Sequence, residues 1–278
     1  LVDMYAKCGA LIKAQEVFNE LQVRNIVSWN ALITGYANHG SGEQVLKYFK
    51  KLQHEGFFPN KVTFLCVLKA CGSIGAIGLG ERMHSDIVKR GLEADLTIGN
   101  TLVDLYAKCG LLLEANDVFE KLPDQDEVSW NTLLVGYSQI GGSQNVFDLF
   151  QRMIGAGQKP NTVALVSILN VCNHAGKLDE GHLYFAAMNK YNIIPTPEHH
   201  TCLIDLLGRA GHIDSAIVLI NEMPYHPSAT PWHSILGACR KWGNVALGKH
   251  AFAEAIGLSD TDASSYISMV NIFTDAEM

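Results

Sequence analysis

The sequence predicts an all-α fold, a right-handed α-solenoid of helix–turn–helix repeats, on three observations. Eight glycines recur at intervals of 31 to 35 residues: Gly9, Gly40, Gly75, Gly110, Gly141, Gly176, Gly211 and Gly243. Whole phrases return at an offset of 101 residues: LVDMYAKCG (1–9) as LVDLYAKCG (102–110), and VSWNALITGY (27–36) as VSWNTLLVGY (128–137). LIDLLGRAG (203–211) is a third version of the first phrase. Inside each period, apolar residues fall at helical spacing. A period near 35 is the mark of stacked supersecondary units in which each repeat packs on its neighbours.

Residues 26–60 show how one unit is built. Ile26, Trp29, Leu32, Ile33 and Tyr36 form the apolar stripe of a first helix. His39-Gly40-Ser41-Gly42 breaks it, glycine being suited to the left-handed residue that closes a helix. Glu43 begins a second helix with Val45, Leu46, Phe49 and Leu52 inward. Gly56 ends that helix, and Pro59-Asn60 turns the chain into the next unit.

The second helices share an aromatic peg at Phe18, Phe49, Phe119, Phe150, Phe185 and Phe252, with Ile220 substituting once and His84 departing from it. Four residues earlier stand Ala14, Val45, Gly80, Ala115, Val146, Gly181, Ala216 and Gly248, mostly small, as a close helix–helix approach requires. Both sets, and Trp29 and Trp130, are expected in the core.

Apolar residues make up 48% of the chain and charged residues 18%, ample for a continuous core. No unbroken apolar run of about 18 residues occurs, so no transmembrane helix is indicated. The chain opens at Leu1 inside a repeat and stops mid-pattern, so any targeting segment is expected upstream. The seven cysteines are odd in number and contain no C-x-x-C, which argues against disulfides, zinc and an oxidising compartment. Cys8 and Cys109 share one repeat position and are expected as small core residues. The net charge of −7 opposes a nonspecific nucleic-acid binder held by a broad positive field, without opposing a narrow groove that reads a single strand.

The phrases VSWNALITGYANHG, LVDMYAKCG and VTFLCVLKACGSIGA resemble the plant pentatricopeptide repeat family, and the mixed 35- and 31-residue lengths resemble its PLS subclass. The resemblance implies a partial S repeat at 1–25, P at 26–60, L at 61–95, S at 96–126, P at 127–161, L at 162–196 and a final S at 197–228. Residues 229–262 then resemble a first E motif and 263–278 a truncated second. The implied function is sequence-specific binding of single-stranded organellar RNA, selecting sites for C-to-U editing in the mitochondrion or, alternatively, the chloroplast.

In that family the fifth and last residues of a motif read one base. Carried onto this chain, the pairs are Asn30 with Asn60, Asn100 with Asp126, Asn131 with Asn161, and the poorly matched Thr201 with Ser228. Val27, Thr97 and Val128 would flank the bases, and Lys7, Lys108 and Arg209 would contact phosphate. Leu65 and Val166 occupy the fifth position of the L units and cannot hydrogen-bond a base. The resemblance also implies that Asn with Asp favours uracil and Asn with Asn a pyrimidine, so the target would contain pyrimidine–x–U–pyrimidine–x, 5′ to 3′ along the chain.

The chemistry is sound without the resemblance. A carboxamide offers both donor and acceptor to a Watson–Crick edge, and single-stranded RNA exposes that edge. Plainer roles remain open at this stage. The three asparagines could cap helices, the three cations could complement helix dipoles, and Val27 and Val128 could be core. No H-x-E or C-x-x-C occurs, so the zinc chemistry of cytidine deamination is not expected in this segment. His199-His200 cannot copy that geometry, and Gly78-Leu79-Gly80 lies inside a helix rather than in a phosphate loop. No cofactor, metal, membrane or small-molecule substrate is expected. The E-like region could dock editing-factor proteins. The rival readings are a protein-binding helical-repeat scaffold and an RNA-processing or stabilisation factor without an editing role.

Overall fold

The computed structural model describes residues 1–140, 142–259 and 261–276. Gly141 of the glycine series therefore lies outside the described residues, as do Asp260, Glu277 and Met278 of the E-like segments. The described residues form seventeen α-helices and no strand. The chain divides into two compact units, Leu1–Gly136 and Tyr137–Met278.

The first unit holds α1 (Val2–Lys7), α2 (Leu11–Glu20), α3 (Ile26–Asn38), α4 (Gly42–His54), α5 (Lys61–Ile74), α6 (Ile77–Lys89), α7 (Leu96–Lys108) and α8 (Leu112–Lys121). The division between units falls inside α9 (Glu127–Ile140). The second unit continues with α10 (Ser143–Gly155), α11 (Thr162–Ala175), α12 (Leu178–Lys190), α13 (Pro197–Ala210), α14 (Ile213–Asn221), α15 (Ala229–Trp242), α16 (Val245–Leu258) and α17 (Ala263–Asp275).

Each unit is two-layered. In the first, α1, α3, α5 and α7 pack side by side in one row, and each even-numbered helix packs between the odd-numbered helices before and after it. In the second, α11, α13, α15 and α17 form the row, with the even-numbered helices behind it. The helix expected from Glu43 starts one residue earlier, at Gly42, because Ser41 holds the cap position.

The repeating glycines do what their spacing predicts. Gly75 closes α5 at φ 68° and Gly211 closes α13 at φ 89°, both left-handed. The other described members of the series also have positive φ. A different set of glycines sets the spacing of the row. A Cβ on Gly35 in α3 would lie 2.5 Å from Ala6 Cβ in α1. The same contact recurs 101 residues on, where Gly136 meets Ala107 Cβ at 2.5 Å.

Phe18, Phe49, Phe119 and Phe150 are buried pegs, as are Trp29 and Trp130, whereas Phe185 and Phe252 are only half-buried. All eight small partners are buried. A Cβ on Gly80 would strike the Leu105 side chain at 2.7 Å, which is why a glycine stands there. The expectation for two cysteines is corrected. Cys8 is exposed and Cys109 half-buried, because each is the C-cap residue of its helix and sits at the rim.

Two stability outcomes follow. Phe119 is 0% exposed, so Phe119→Ala is expected to cost about 3–5 kcal/mol in chemical denaturation. Gly35→Ala is expected to cost about 1–3 kcal/mol through overpacking against Ala6. Gly155→Ala, with open space around it, should be neutral or stabilising by up to about 1 kcal/mol. Equal effects of the two glycine substitutions would refute the close-approach account.

Candidate nucleic-acid interface

The last residue of each sequence-predicted repeat is a helix N-cap. Asn25 caps α3, Asn60 caps α5, Asp95 caps α7 and Asn161 caps α11 through side-chain oxygens that accept backbone N–H bonds. Asp126 does the same for α9, accepting from Ser129 N at 2.8 Å. A carboxamide or carboxylate is therefore anchored at the start of a helix, where orphan N–H groups need an acceptor.

The fifth residues stand one helix back and are joined to these caps. Asn30 Nδ2 donates to Asn60 Oδ1 at 2.9 Å, and Asn100 Nδ2 donates to Asp126 Oδ1 at 3.3 Å. A third group completes each arrangement. Thr63 Oγ1 donates to Asn30 Oδ1 at 2.7 Å, and Ser129 Oγ donates to Asn100 Oδ1 at 2.7 Å. These hydroxyls fix the amide orientation, since only the carbonyl oxygen can accept their proton. They were not singled out from the sequence, although Thr63 and Ser129 both stand three residues after a cap. The asparagines at position five are thus not caps.

Burial is graded in a way that suits a reading group. Asn30 is 7% exposed and Asn100 half-buried, while Asn60 is exposed and Asp126 half-buried. One Nδ2 hydrogen of each fifth asparagine is spent on the cap residue, and the other is free of intramolecular partners. The caps differ in what they leave. Asn60 leaves its NH2, a donor, whereas Asp126 leaves Oδ2, an acceptor. Burial pushes the Asp126 carboxyl up, but hydrogen bonds from Ser129 and Asn100 outweigh it and hold the group below the usual carboxylate range.

A groove of about 370 Å³ opens over the second pair, lined by Lys69, Thr97, Asn100, Thr101, Asp126 and Val128 among others. Thr97 and Val128 are exposed, and so is Val27 at 70%. Val27 and Val128 are therefore not core, and Thr97 and Val128 line the same groove as Asn100.

The third pair is split by the unit division, Asn131 in the first unit and Asn161 in the second. Asn131 Oδ1 is buried without a hydrogen-bond partner. The sequence position equivalent to Thr63 and Ser129 is Ala164, which has no hydroxyl. The fourth pair is not joined. Thr201 Oγ1 turns back to Pro197 O at 2.8 Å, and Ser228 caps α15 without a side-chain bond.

Lys7, Lys108 and Arg209 lie in the last turns of α1, α7 and α13. Each pairs with an aspartate four residues earlier: Lys7 with Asp3 at 2.8 Å, Lys108 with Asp104 at 2.7 Å and Arg209 with Asp205 at 3.0 Å. Such exposed pairs contribute little to stability, so a phosphate can displace the carboxylate at little cost. His199 is fully buried, with Nδ1 2.8 Å from Thr196 Oγ1 at the start of α13, and its role is structural. Among the described residues no group of three or more His, Cys, Asp or Glu side chains could hold a metal ion. No described helix is long and apolar enough to cross a membrane.

Comparison with known proteins bears on the family and the fold. Residues 24–73 match the PPR repeat family, and 1–26, 100–126, 128–158 and 198–226 match the PPR repeat. A mitochondrial pentatricopeptide repeat-containing protein of Arabidopsis thaliana is 39% identical over 100% of the chain and 44% of its own length. The chloroplastic protein CRR2 of the same plant is 37% identical over 100% of the chain and 43% of its length. The chain thus spans less than half the length of these relatives. Among solved structures, the pentatricopeptide repeat protein PPR10 in complex with an 18-nt psaJ RNA element superposes with a TM-score of 0.82 at 18% identity, over 99% of this chain and 42% of that one.

The hydroxyl support can be tested directly. Ser129→Ala removes the hydroxyl bond that helps lower the Asp126 carboxyl and keeps the backbone one, so its titration, followed by carboxyl NMR, should move up toward the usual value. The sign is that of a depressed acid: the stabilisation is present above the unfolded value and is lost as pH falls through the folded one. An unmoved titration would show that the hydroxyl does not hold the pair.

Proposed function

We propose that this chain, which belongs to the pentatricopeptide repeat family, binds single-stranded RNA in a sequence-specific way and reads one base per helix pair. The observation that carries the reading is the duplicated arrangement of fifth residue, cap residue and hydroxyl at Asn30/Asn60/Thr63 and Asn100/Asp126/Ser129. Each presents a fixed amide hydrogen beside a second group whose polarity varies. A purely structural cap would not need the neighbouring helix's amide to be oriented by a third side chain.

The polarity sets the base. Asp126 Oδ2 can accept from the N3–H of uracil while Asn100 Nδ2 donates to a ring carbonyl. Asn60 offers an NH2 instead, which suits the N3 acceptor of cytosine, consistent with a pyrimidine at the first pair. For Asn131 with Asn161 the same pyrimidine reading is proposed, and for Thr201 with Ser228 only weak discrimination. Val27, Thr97 and Val128 flank the bases, and Lys7, Lys108 and Arg209 exchange their aspartates for phosphates.

The finer role proposed is the selection of organellar sites for C-to-U editing, within a PLS arrangement with an E-type region at 229–278. The resemblance of 197–228 to a final S motif supports it, as do relatives whose names place them in the mitochondrion and the chloroplast. The deamination itself is assigned to a domain or partner outside this segment. In α17, Ile267 and Val270 are about 60% exposed and apolar, which suits contact of the E-like region with an editing-factor protein.

A gel-shift series should show salt-sensitive binding of single-stranded RNA carrying pyrimidine–x–U–pyrimidine–x, with duplex RNA bound poorly. Replacing Asn100 and Asp126 together by Thr and Asn should move the preference from uracil toward adenine at one base by roughly tenfold. Binding with unchanged base preference would sink the assignment.

A further inference from the structure

We propose that the first unit holds a binding site for a small, neutral aromatic molecule of one or two rings, in a cleft between α6 and α8. None of the residues assigned to bases or phosphates belongs to it, so it stands apart from the RNA-binding reading.

The repeat itself defines the shape of the missing occupant. The fourth residue of an odd-numbered helix carries a ring in α3, α5, α9, α13, α15 and α17, and is Leu165 in α11. Only in α7 is it a glycine, Gly99. Such a ring meets the peg of the preceding second helix edge-on: Phe18 with Trp29 at 4.6 Å, Phe119 with Trp130 at 4.8 Å and Phe185 with His200 at 5.2 Å. Trp29 also reaches Tyr48, the residue before the next peg, at 6.4 Å. Its ring therefore fills the space between α2 and α4. Around α7 all three places change. His84 stands where Phe18 does, Gly99 where Trp29 does and Val118 where Tyr48 does. The bulk that would separate α6 from α8 is absent.

A cleft of about 480 Å³ opens there, lined by His84, Val88, Glu93, Leu102, Val118 and Lys121 among others. That volume is in the range of roughly 300–1,000 Å³ usual for small-molecule sites. Leu122 takes part of the vacated space, since a Cβ on Gly99 would lie 2.2 Å from Leu122 Cδ2, yet the cleft beside it stays open. Leu102 and Val118 are buried and supply apolar walls, while Val88 is exposed at the mouth. His84 Nδ1 lies 2.8 Å from Tyr106 Oη, and the two rings meet edge-on at 5.6 Å. The imidazole is thereby held in place and does not turn over the void. Walls from three helices and the connection before α7 enclose a compact volume, which suits a free molecule better than a segment of another protein.

The chemistry of the walls narrows the ligand. A flat ring can lie between His84 and Val118 as Trp29 lies between Phe18 and Tyr48, edge-on to the imidazole. Burial, with Lys121 nearby, pushes the His84 imidazole below its ordinary value, so this wall carries no charge at neutral pH. At the rim, Lys121 is paired with Asp117 at 2.6 Å, which leaves the Glu93 carboxylate as the unbalanced charge. A ligand bearing its own carboxylate meets repulsion there, and a neutral aromatic does not.

The test uses the 278-residue chain with indole as the probe. Nuclear Overhauser contacts from indole protons to the Leu102 and Val118 methyl groups are expected, with one molecule bound per chain by calorimetry. Val118→Tyr supplies the ring that Tyr48 supplies in the earlier repeat. Val88→Trp covers the mouth from an exposed position, where substitution leaves the core intact. Each variant should bind indole at least about tenfold more weakly, and melting followed by circular dichroism reports that it is folded. Indole-3-acetate should bind the unaltered chain at least about tenfold more weakly than indole. Absence of the methyl contacts, or an indole affinity that Val88→Trp leaves unchanged, overturns the site even if Val118→Tyr fails to fold. Indole-3-acetate binding as tightly as indole overturns the neutral ligand. None of these outcomes bears on RNA binding.

Discussion

One side-chain oxygen at each of two repeat boundaries ties consecutive helix pairs together. Oδ1 of Asn60 or Asp126 ends the search of a helix's first N–H groups for an acceptor, and it also accepts the amide of an asparagine on the helix pair before it. A cap alone contributes about 1 kcal/mol. The added bonds convert it into a joint between repeats. The joint leaves one polar group of the cap residue and one amide hydrogen of its partner uncommitted at the rim of a groove. On the proposed reading, structural and recognition roles are not alternatives at these positions, because the first fixes the geometry that the second needs.

That joint works only if consecutive first helices come close, and the packing is arranged for it. Gly35 against Ala6 and Gly136 against Ala107 remove the side chains that would hold the helices apart. The aromatic pegs fill the layer behind, where Phe18 meets Trp29 edge-on at 4.6 Å and Phe119 meets Trp130 in the same way at 4.8 Å. Bulk is kept on one side of the row and absent on the other, so the polar groups of the row stay near solvent.

Much of this was legible in the chain. The 101-residue recurrence predicted paired helices, the glycines predicted their ends, and the second-helix stripe predicted Phe119 and Val45 in the core. What was not legible was the hydroxyl that orients each asparagine. Thr63 and Ser129 look like ordinary helix-start residues, and their partner is about thirty residues upstream, beyond any local pattern. The capping alternative for Asn30 and Asn100 could not be set aside from the chain alone for a related reason: Asn30 and Asn60 have the same side chain, and only the helix boundary between them separates the two roles. Cys8 and Cys109 were placed inside because their recurrence looked like core packing, when recurrence at a helix end marks the rim equally well.

The charge balance bears on how affinity and specificity divide. A chain with net charge −7 cannot rely on a long-range field to hold a polyanion. Its cations at Lys7, Lys108 and Arg209 are each held by an aspartate one turn away, so each of these charges is locally balanced. A strand that arrives without matching bases gains only the small difference between a phosphate and an aspartate partner. On the proposed reading, a strand whose bases satisfy the Asn–Asp and Asn–Asn edges is held long enough for those exchanges to add up. If the proposed roles hold, paired cations lower nonspecific affinity more than specific affinity, and base contacts, rather than phosphate contacts, decide which strand stays bound.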